Sequence, residues 1–290
     1  MSEKLKVLSF GAGVQSTALL LMSIKGLLPK LDHCIFADVG FEPKRVYDHL
    51  EWCTRIAEEN GIPMTILSGR LGGLKNDVLN NIARKDGGRF SSVPFFTIDE
   101  DGKVGMGRRQ CTNDYKIRPI HKFLKEEVLG LRKGQWSPKE PVIEQWMGIS
   151  YDEATRAKPS KVRWIEHVFP FLSWGCDYLD GRNWRRNQII EWLEENFPDI
   201  NVPRSACLCC PYHSNDEWRK IQENEDEWAE VVEFDKAIRH DKRERDGAVM
   251  RLPQFLHRSC KPLDEVDFRT DEEKGQSSLW DNECEGMCGM

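Results

Sequence analysis

No apolar run in the 290 residues approaches the roughly 20 that a bilayer crossing requires. The opening Met-Ser-Glu-Lys-Leu-Lys lacks the apolar stretch of an export signal. The expectation is a cytoplasmic protein with no membrane partner. Excess positive charge is also missing: the net charge is −6, so global electrostatics give no attraction to nucleic acid. Local arginines remain, at Arg108 and Arg109 and at Arg182, Arg185 and Arg186. A further run, Arg239 to Arg245, is interleaved with Asp241, Glu244 and Asp246 and reads as a solvated helix face. These count as ordinary surface unless the fold brings them to one face with an anion site. No internal repeat is present. The ten cysteines are not scarce, and a reducing compartment argues against a disulfide framework and for metal-bound or reactive thiols.

Between Leu8 and Leu20 the chain reads Leu-Ser-Phe-Gly-Ala-Gly-Val-Gln-Ser-Thr-Ala-Leu-Leu, an apolar strand, a small-residue turn and an apolar helix. Gly11 and Gly13 permit backbone angles that a side chain forbids, and Ser16 and Thr17 suit a helix start. Amides at such a start lack carbonyl partners, and the helix dipole adds to them, so a phosphate is the fitting occupant. The nucleotide-binding residues expected here are Ser9, Phe10, Gly11, Ala12, Gly13, Val14, Gln15, Ser16 and Thr17. Packing alone also produces Gly-Ala-Gly turns. No lysine follows the glycines, which excludes a Walker loop, and the Rossmann spacing is missing too.

Cys34 to Ala37 is a second apolar run, ending in Asp38-Val39-Gly40-Phe41-Glu42. Ligands of open parallel sheets bind at the carboxyl ends of strands. Asp38 is therefore expected to accept from a ribose hydroxyl or an adenine amine, with capping of a helix near Pro43 as the plainer role. Arg109-Gln110-Cys111 is followed by Lys116 and Pro119. Met147-Gly148-Ile149-Ser150, with Glu153 and Arg156, ends a strand that begins near Val142. Phe169-Pro170-Phe171-Leu172 precedes Trp174 and Asp177.

In this order the segments resemble the phosphoadenosine phosphosulfate (PAPS) reductase-like family of the PP-loop, or adenine nucleotide α-hydrolase, superfamily. Gly11 to Ser16 occupy the places of its Ser-Gly-Gly-x-Asp-Ser loop, with Gln15 where ATP-splitting members carry Asp and Gly11 where they carry Ser. The resemblance implies an α/β fold, a doubly wound, mostly parallel, Rossmann-like sheet with a helical, cysteine-bearing C-terminal part. It implies ATP or PAPS as ligand, with Mg²⁺, and places Gly148 and Ile149 with Asp38 at the nucleotide. It assigns catalytic roles to Cys111, Lys116, Arg156 and Cys284. Lys116 or Arg156 would stabilise charge on the α-phosphate, and Cys284, in a Glu-Cys-x-Gly setting, would attack a sulfonate sulfur.

Strand and helix alternate through the first half: strands near Val7, Cys34 and Pro63 to Leu67, helices over Ser16 to Gly26 and Pro43 to Asn60. Residues 68–110 read as an insertion over the site, with a helix at Leu74 to Arg84 and a hairpin at Asp101-Gly102. Tyr115 to Leu131 is helical in pattern, and Val142 and Val162 begin strands. Helices then run over Trp184 to Asn196 and from Asp216 to about Lys242. The domains expected are 1–180 for the nucleotide and 181–290 for a helical region ending in a cysteine-containing tail. Trp52, Trp146, Trp184, Trp192, Trp218 and Trp228 are expected in the core.

Cys207 and Cys210, two residues apart and followed by Pro211, have the spacing of a pair that shares one metal or cluster. Cys209, one position off, is expected to point elsewhere. Cys111 and Cys284, or Cys288, complete a four-ligand set of Cys111, Cys207, Cys210 and Cys284. A [4Fe-4S] cluster, a structural zinc and paired redox thiols all fit, and His213 is a lesser ligand candidate. Cys34, Cys53, Cys176 and Cys260 read as packing residues.

The function expected is adenine-nucleotide-dependent sulfur chemistry, in the form of iron–sulfur-dependent, ATP-driven thiolation of a nucleic acid or small acceptor. The alternatives are a sulfonucleotide reductase and a nucleotide-binding accessory protein of a mobile-element or defence system. The partners expected are the nucleotide, a nucleic-acid acceptor, a thiol reductant or sulfur-donor protein, and a second copy as a homodimer.

Overall fold

The computed structural model describes residues 3–68, 73–79, 93–132, 134–239, 252–269 and 273. The chain divides into two compact units: residues 1–37, 44–67 and 118–205 form the first, and residues 38–43, 68–117 and 206–290 the second.

The first unit is a five-stranded sheet in the order β3-β2-β1-β6-β7. Its strands are β1 (Leu5–Phe10), β2 (His33–Asp38), β3 (Met64–Ser68), β6 (Ile143–Trp146) and β7 (Ile165–Val168). β1 pairs parallel with β2 and β6, and β6 pairs parallel with β7. Alternation along each strand sorts the side chains to two faces. Leu8, Phe10, Cys34, Phe36, Trp146 and Val168 share one core with helices α1 (Val14–Ile24), α2 (Lys44–Glu59) and α5 (Arg186–Asn196). Val7, Ile35, Ile143 and Ile165 face the other way, into a core with Ile120 of α4 (Arg118–Phe123). Helices on both faces of a parallel sheet give the doubly wound α/β class expected. The chain leaves β1 toward β2 on one side and returns to β6 on the other. The carboxyl ends of β1 and β6 therefore form a topological switch point, where such sheets bind ligands.

The second unit has an antiparallel sheet, β5-β4-β8, of β4 (Phe96–Ile98), β5 (Val104–Met106) and β8 (Gln254–Phe255). The hairpin falls at Asp101-Gly102 as the sequence suggests. Helices α3 (Gly73–Leu79), α6 (Asn215–Gln222) and α7 (Glu225–Arg239) enclose a core of Phe41, Phe95, Cys209, Trp218 and Phe234.

The first unit runs on to Ser205, and Ile189 and Leu193 of α5 are buried in the α1 core. Residues 68–117 are grouped with the C-terminal residues. One expectation is corrected. The single helix expected from Asp216 is two, because Asn224 breaks it: its Oδ1 accepts from the Glu227 N–H at 3.2 Å and caps α7. The outer parts of the Leu74 to Arg84 helix and of the helix toward Lys242 lie outside the described residues. No described helix is long and apolar enough to cross a membrane.

Candidate functional site

At the switch point the chain turns from β1 through Gly11, Ala12 and Gly13 into α1. Ala12 takes φ 56°, a left-handed conformation that costs an L side chain about 1–2 kcal/mol and that collects at working sites. The turn aims the Gly11 and Gly13 N–H groups at Ser16 Oγ, at 3.2 and 3.3 Å, and the Ser16 hydroxyl donates to the Gly13 carbonyl at 3.1 Å. An oxygen thus stands where two main-chain donors converge, beside a helix start whose first amides have no carbonyl a turn back. Gly148, beyond β6, walls the turn: a Cβ there would lie 2.9 Å from Ser16 N and 3.1 Å from the Gln15 carbonyl carbon. Ser205 walls it too, its Cβ 3.2 Å from where one on Gly13 would stand.

Of the residues expected at the nucleotide, Phe10, Ala12, Val14 and Ile149 are buried. Ser9 Oγ accepts from Gln145 Nε2 at 2.6 Å. The Gln15 carboxamide joins two charged groups: Nε2 donates to Glu153 Oε2 at 3.4 Å, and Oε1 accepts from Arg186 at 3.2 Å. Glu153 is also ion-paired with Arg156. Asp38 belongs to the second unit, and its Oδ1 accepts from the Gly40 N–H at 2.7 Å, closing an Asx turn. Ser205 and Gln145 arrive from segments more than 130 positions from the loop, with no local pattern to mark them as site residues. Arg186, one of the local arginines that the sequence singles out, is brought by the fold to Gln15 of the loop.

Thr17 is fully buried, and its Oγ1 lies 2.9 Å from His49 Nε2. His49 Nε2 is also 3.4 Å from Cys53 Sγ, and the ring stacks on Trp52. Burial pulls the His49 pKa down to about 4 from an ordinary 6.5, so the imidazole is neutral in the folded protein. The unfolded chain takes up this proton first as pH falls. His49 therefore leaves stability intact above about 6.5 and withdraws it progressively toward 4, in all by about 3 kcal/mol. Urea unfolding between pH 4 and 8 should show this slope, and His49→Gln should flatten it; an unchanged slope in the variant would refute the assignment.

In the second unit the Cys210 N–H donates to the Cys207 carbonyl at 2.9 Å, closing a turn, and the Leu208 N–H anchors it to the Phe41 carbonyl at 2.8 Å. His213 Nε2–H donates to the Cys207 carbonyl at 2.9 Å. Cys209 is buried in the core with Trp218 and Phe234 and is not among the residues that line the cavity of Cys111, Cys207 and Cys210. The Cys207 thiol is hydrogen-bonded to both Cys209 and Cys210, and the Cys209 contact, reinforced by burial, pushes its pKa well up against the opposing pull of Cys210. Burial likewise raises the pKa of Cys209. Cys111, Cys207 and Cys210 line a cavity of about 30 Å³ together with Arg109, Lys116 and Tyr212. Arg109 lies 5.7 Å from the Tyr212 ring, and Lys116 Nζ is 3.7 Å from Oε1 of Glu42, whose side chain is fully buried. A thiolate formed in that cavity has two cations to face.

Among the described residues no group of three or more His, Cys, Asp or Glu side chains is disposed to hold a metal ion. Cys111, Cys207 and Cys210 as placed do not form a cluster or zinc site by themselves. Cys284, like Cys288, lies outside the described residues. Cys34 and Cys53 are buried, as packing residues should be.

No family model and no curated protein matches the chain. Among solved structures, the crystal structure of phosphoadenylyl-sulfate (PAPS) reductase from Candida auris, in its phosphate complex, is similar, with a TM-score of 0.42 and 15% identity over 70% of this chain and 76% of that one.

Proposed function

We propose that this chain is an adenine-nucleotide-binding enzyme of sulfur chemistry that seats a phosphate group on the Gly11–Gly13 turn and the first amides of α1. One observation carries the reading: the Gly11 and Gly13 N–H groups converge on the oxygen of Ser16. A phosphate oxygen is an acceptor of the same kind, and the Ser16 hydroxyl can rotate to donate to it. Donors fixed before the ligand arrives stabilise charge that develops on phosphorus without reorganising. Arg156 and Arg186, joined through Glu153 and Gln15, add positive charge to the rim.

Two reactions suit such a seat. In thiolation, an acceptor carbonyl oxygen attacks the α-phosphorus of ATP, pyrophosphate leaves, and a sulfur nucleophile then displaces AMP. In reduction, a thiolate attacks the sulfonate sulfur of a sulfonucleotide and the nucleotide phosphate departs. A second thiol then releases sulfite and closes a disulfide. Gln15 favours reduction, since a neutral carboxamide engaged with Glu153 and Arg186 stands where the ATP-splitting relatives carry a carboxylate. Cys207 and Cys209 are held protonated. Of the described cysteines, Cys111 and Cys210, which line the cavity with Arg109 and Lys116, are our candidates for the reactive thiols.

Calorimetry and product analysis with ATP and PAPS test this. Sulfite release marks reduction, AMP with pyrophosphate marks adenylation, and binding without product leaves an accessory nucleotide-binding protein. No uptake of either nucleotide would overturn the proposal.

A further inference from the structure

We infer that Tyr151, Trp174 and Arg185 form a platform for single-stranded nucleic acid, taking an unpaired base on the exposed rings and a neighbouring phosphate on the guanidinium. Tyr151 is 39% and Trp174 58% exposed. Their rings meet edge to face, with centroids 6.1 Å apart. The Arg185 guanidinium lies 5.5 Å from the Tyr151 ring, and its side chain is itself largely exposed. Most of the first unit's aromatics pack against the core, among them Trp52, Trp146, Trp184 and Trp192. Two aromatic rings left in water beside an arginine are what base stacking with phosphate contact requires.

The platform is fixed in place by backbone bonds. The Tyr151 N–H donates to the Trp184 carbonyl at 2.8 Å. The Asp152 carboxylate accepts from the Arg186 N–H at 2.6 Å and lies 3.5 Å from the Arg185 guanidinium. The Ser173 N–H donates to Asn183 Oδ1 at 2.9 Å. Three segments separated in sequence are thus tied together before any partner arrives, so little ordering entropy opposes binding. The platform also shares a rim with the phosphate turn. Tyr151 begins the short 3₁₀ helix whose Glu153 accepts from Gln15, and Arg186, next to Arg185, donates to Gln15.

Residues 151–156 and 182–186 together carry four arginines, at 156, 182, 185 and 186, against two carboxylates, Asp152 and Glu153, in a chain of net charge −6. Asp177 and Asp180, which follow Trp174, temper that field. Affinity then comes from the ring faces with few phosphates neutralised, and binding should depend only weakly on salt. As the surface that receives a sulfur acceptor the platform rests on the function proposed above; as a binding surface it does not.

The test is fluorescence anisotropy of the full chain with labelled decamers of uridine and thymidine and a duplex of equal length. Single strands should bind and the duplex should bind far less. Trp174→Ala and Tyr151→Ala should each weaken single-strand binding roughly tenfold or more, the range of one base stack. Arg185→Ala should lower the logarithmic salt slope by about 0.7. ATP and PAPS uptake, read by calorimetry, should survive all three changes, and a variant that loses nucleotide uptake should keep the oligomer. Equal binding of duplex, no binding of single strands, or an undiminished affinity in Trp174→Ala would overturn the inference. So would loss of mononucleotide uptake in the ring variants, since the rings would then belong to the nucleotide's own pocket.

Discussion

Gly148→Ala should abolish measurable nucleotide uptake, weakening it at least about 100-fold, while the far-ultraviolet circular dichroism stays that of the parent protein. The added methyl would stand 2.9 Å from Ser16 N, 3.0 Å from Gln15 Cβ and 3.1 Å from the Gln15 carbonyl carbon. Two of those three atoms are main chain, so no side-chain rotation relieves the clash, and the start of α1 has to shift. The shift spoils the convergence of the Gly11 and Gly13 amides on one oxygen, which is the property the proposed site depends on. Gly26→Ala is the matched control. Gly26 has φ +75° with nothing within 4 Å of its Cβ position, so the change strains the backbone far from the turn. It should lower the melting temperature modestly and leave uptake alone. Nucleotide binding undiminished in Gly148→Ala would remove the turn from the phosphate site.

The part of this site that was legible in the sequence is the part made by neighbours in the chain. The strand and the helix announce themselves through periodicity, whereas the left-handed backbone that Gly11 and Gly13 would permit falls on Ala12 between them, neither glycine having a positive φ. The strand and helix alternation of the first unit was readable for the same reason. Thr17 shows where that reasoning stops. The sequence suits Thr17 to a helix start, but α1 begins at Val14. Thr17 therefore comes one turn in, where its side chain reaches His49, a residue of α2. Ser205 reaches the same loop from a remote segment, and nothing in its local sequence records it. Asn224 was a missed signal of the opposite kind: apolar residues continue at helical spacing on either side of it, yet its carboxamide is a helix-capping group that ends one helix and starts the next.

Asp235→Ala should cost the second unit about 3–5 kcal/mol, the penalty for stranding a buried ionic partner. Asp235 is 1% exposed, and its two carboxylate oxygens hold two different backbone segments. Oδ1 accepts from the Leu256 N–H at 3.1 Å and Oδ2 from the Leu263 N–H at 3.0 Å, while Arg239, one helical turn on, pairs with the same carboxylate. Burial pushes the Asp235 pKa up against the pull of those donors. Removing the carboxylate leaves two inner amides without an acceptor and a mostly buried guanidinium beside Phe255 without its counter-charge. Asp235→Asn keeps one acceptor oxygen and should lose less. Leu256 and Leu263 share their core with Cys209 and Trp218, so loosening them should also open the thiol cluster. Alkylation of Cys209 by iodoacetamide, followed by mass spectrometry, should therefore accelerate in step with the fall in melting temperature, and more in the alanine variant than in the asparagine one. Parent-like melting and alkylation in Asp235→Ala would mean that other contacts hold these segments on α7.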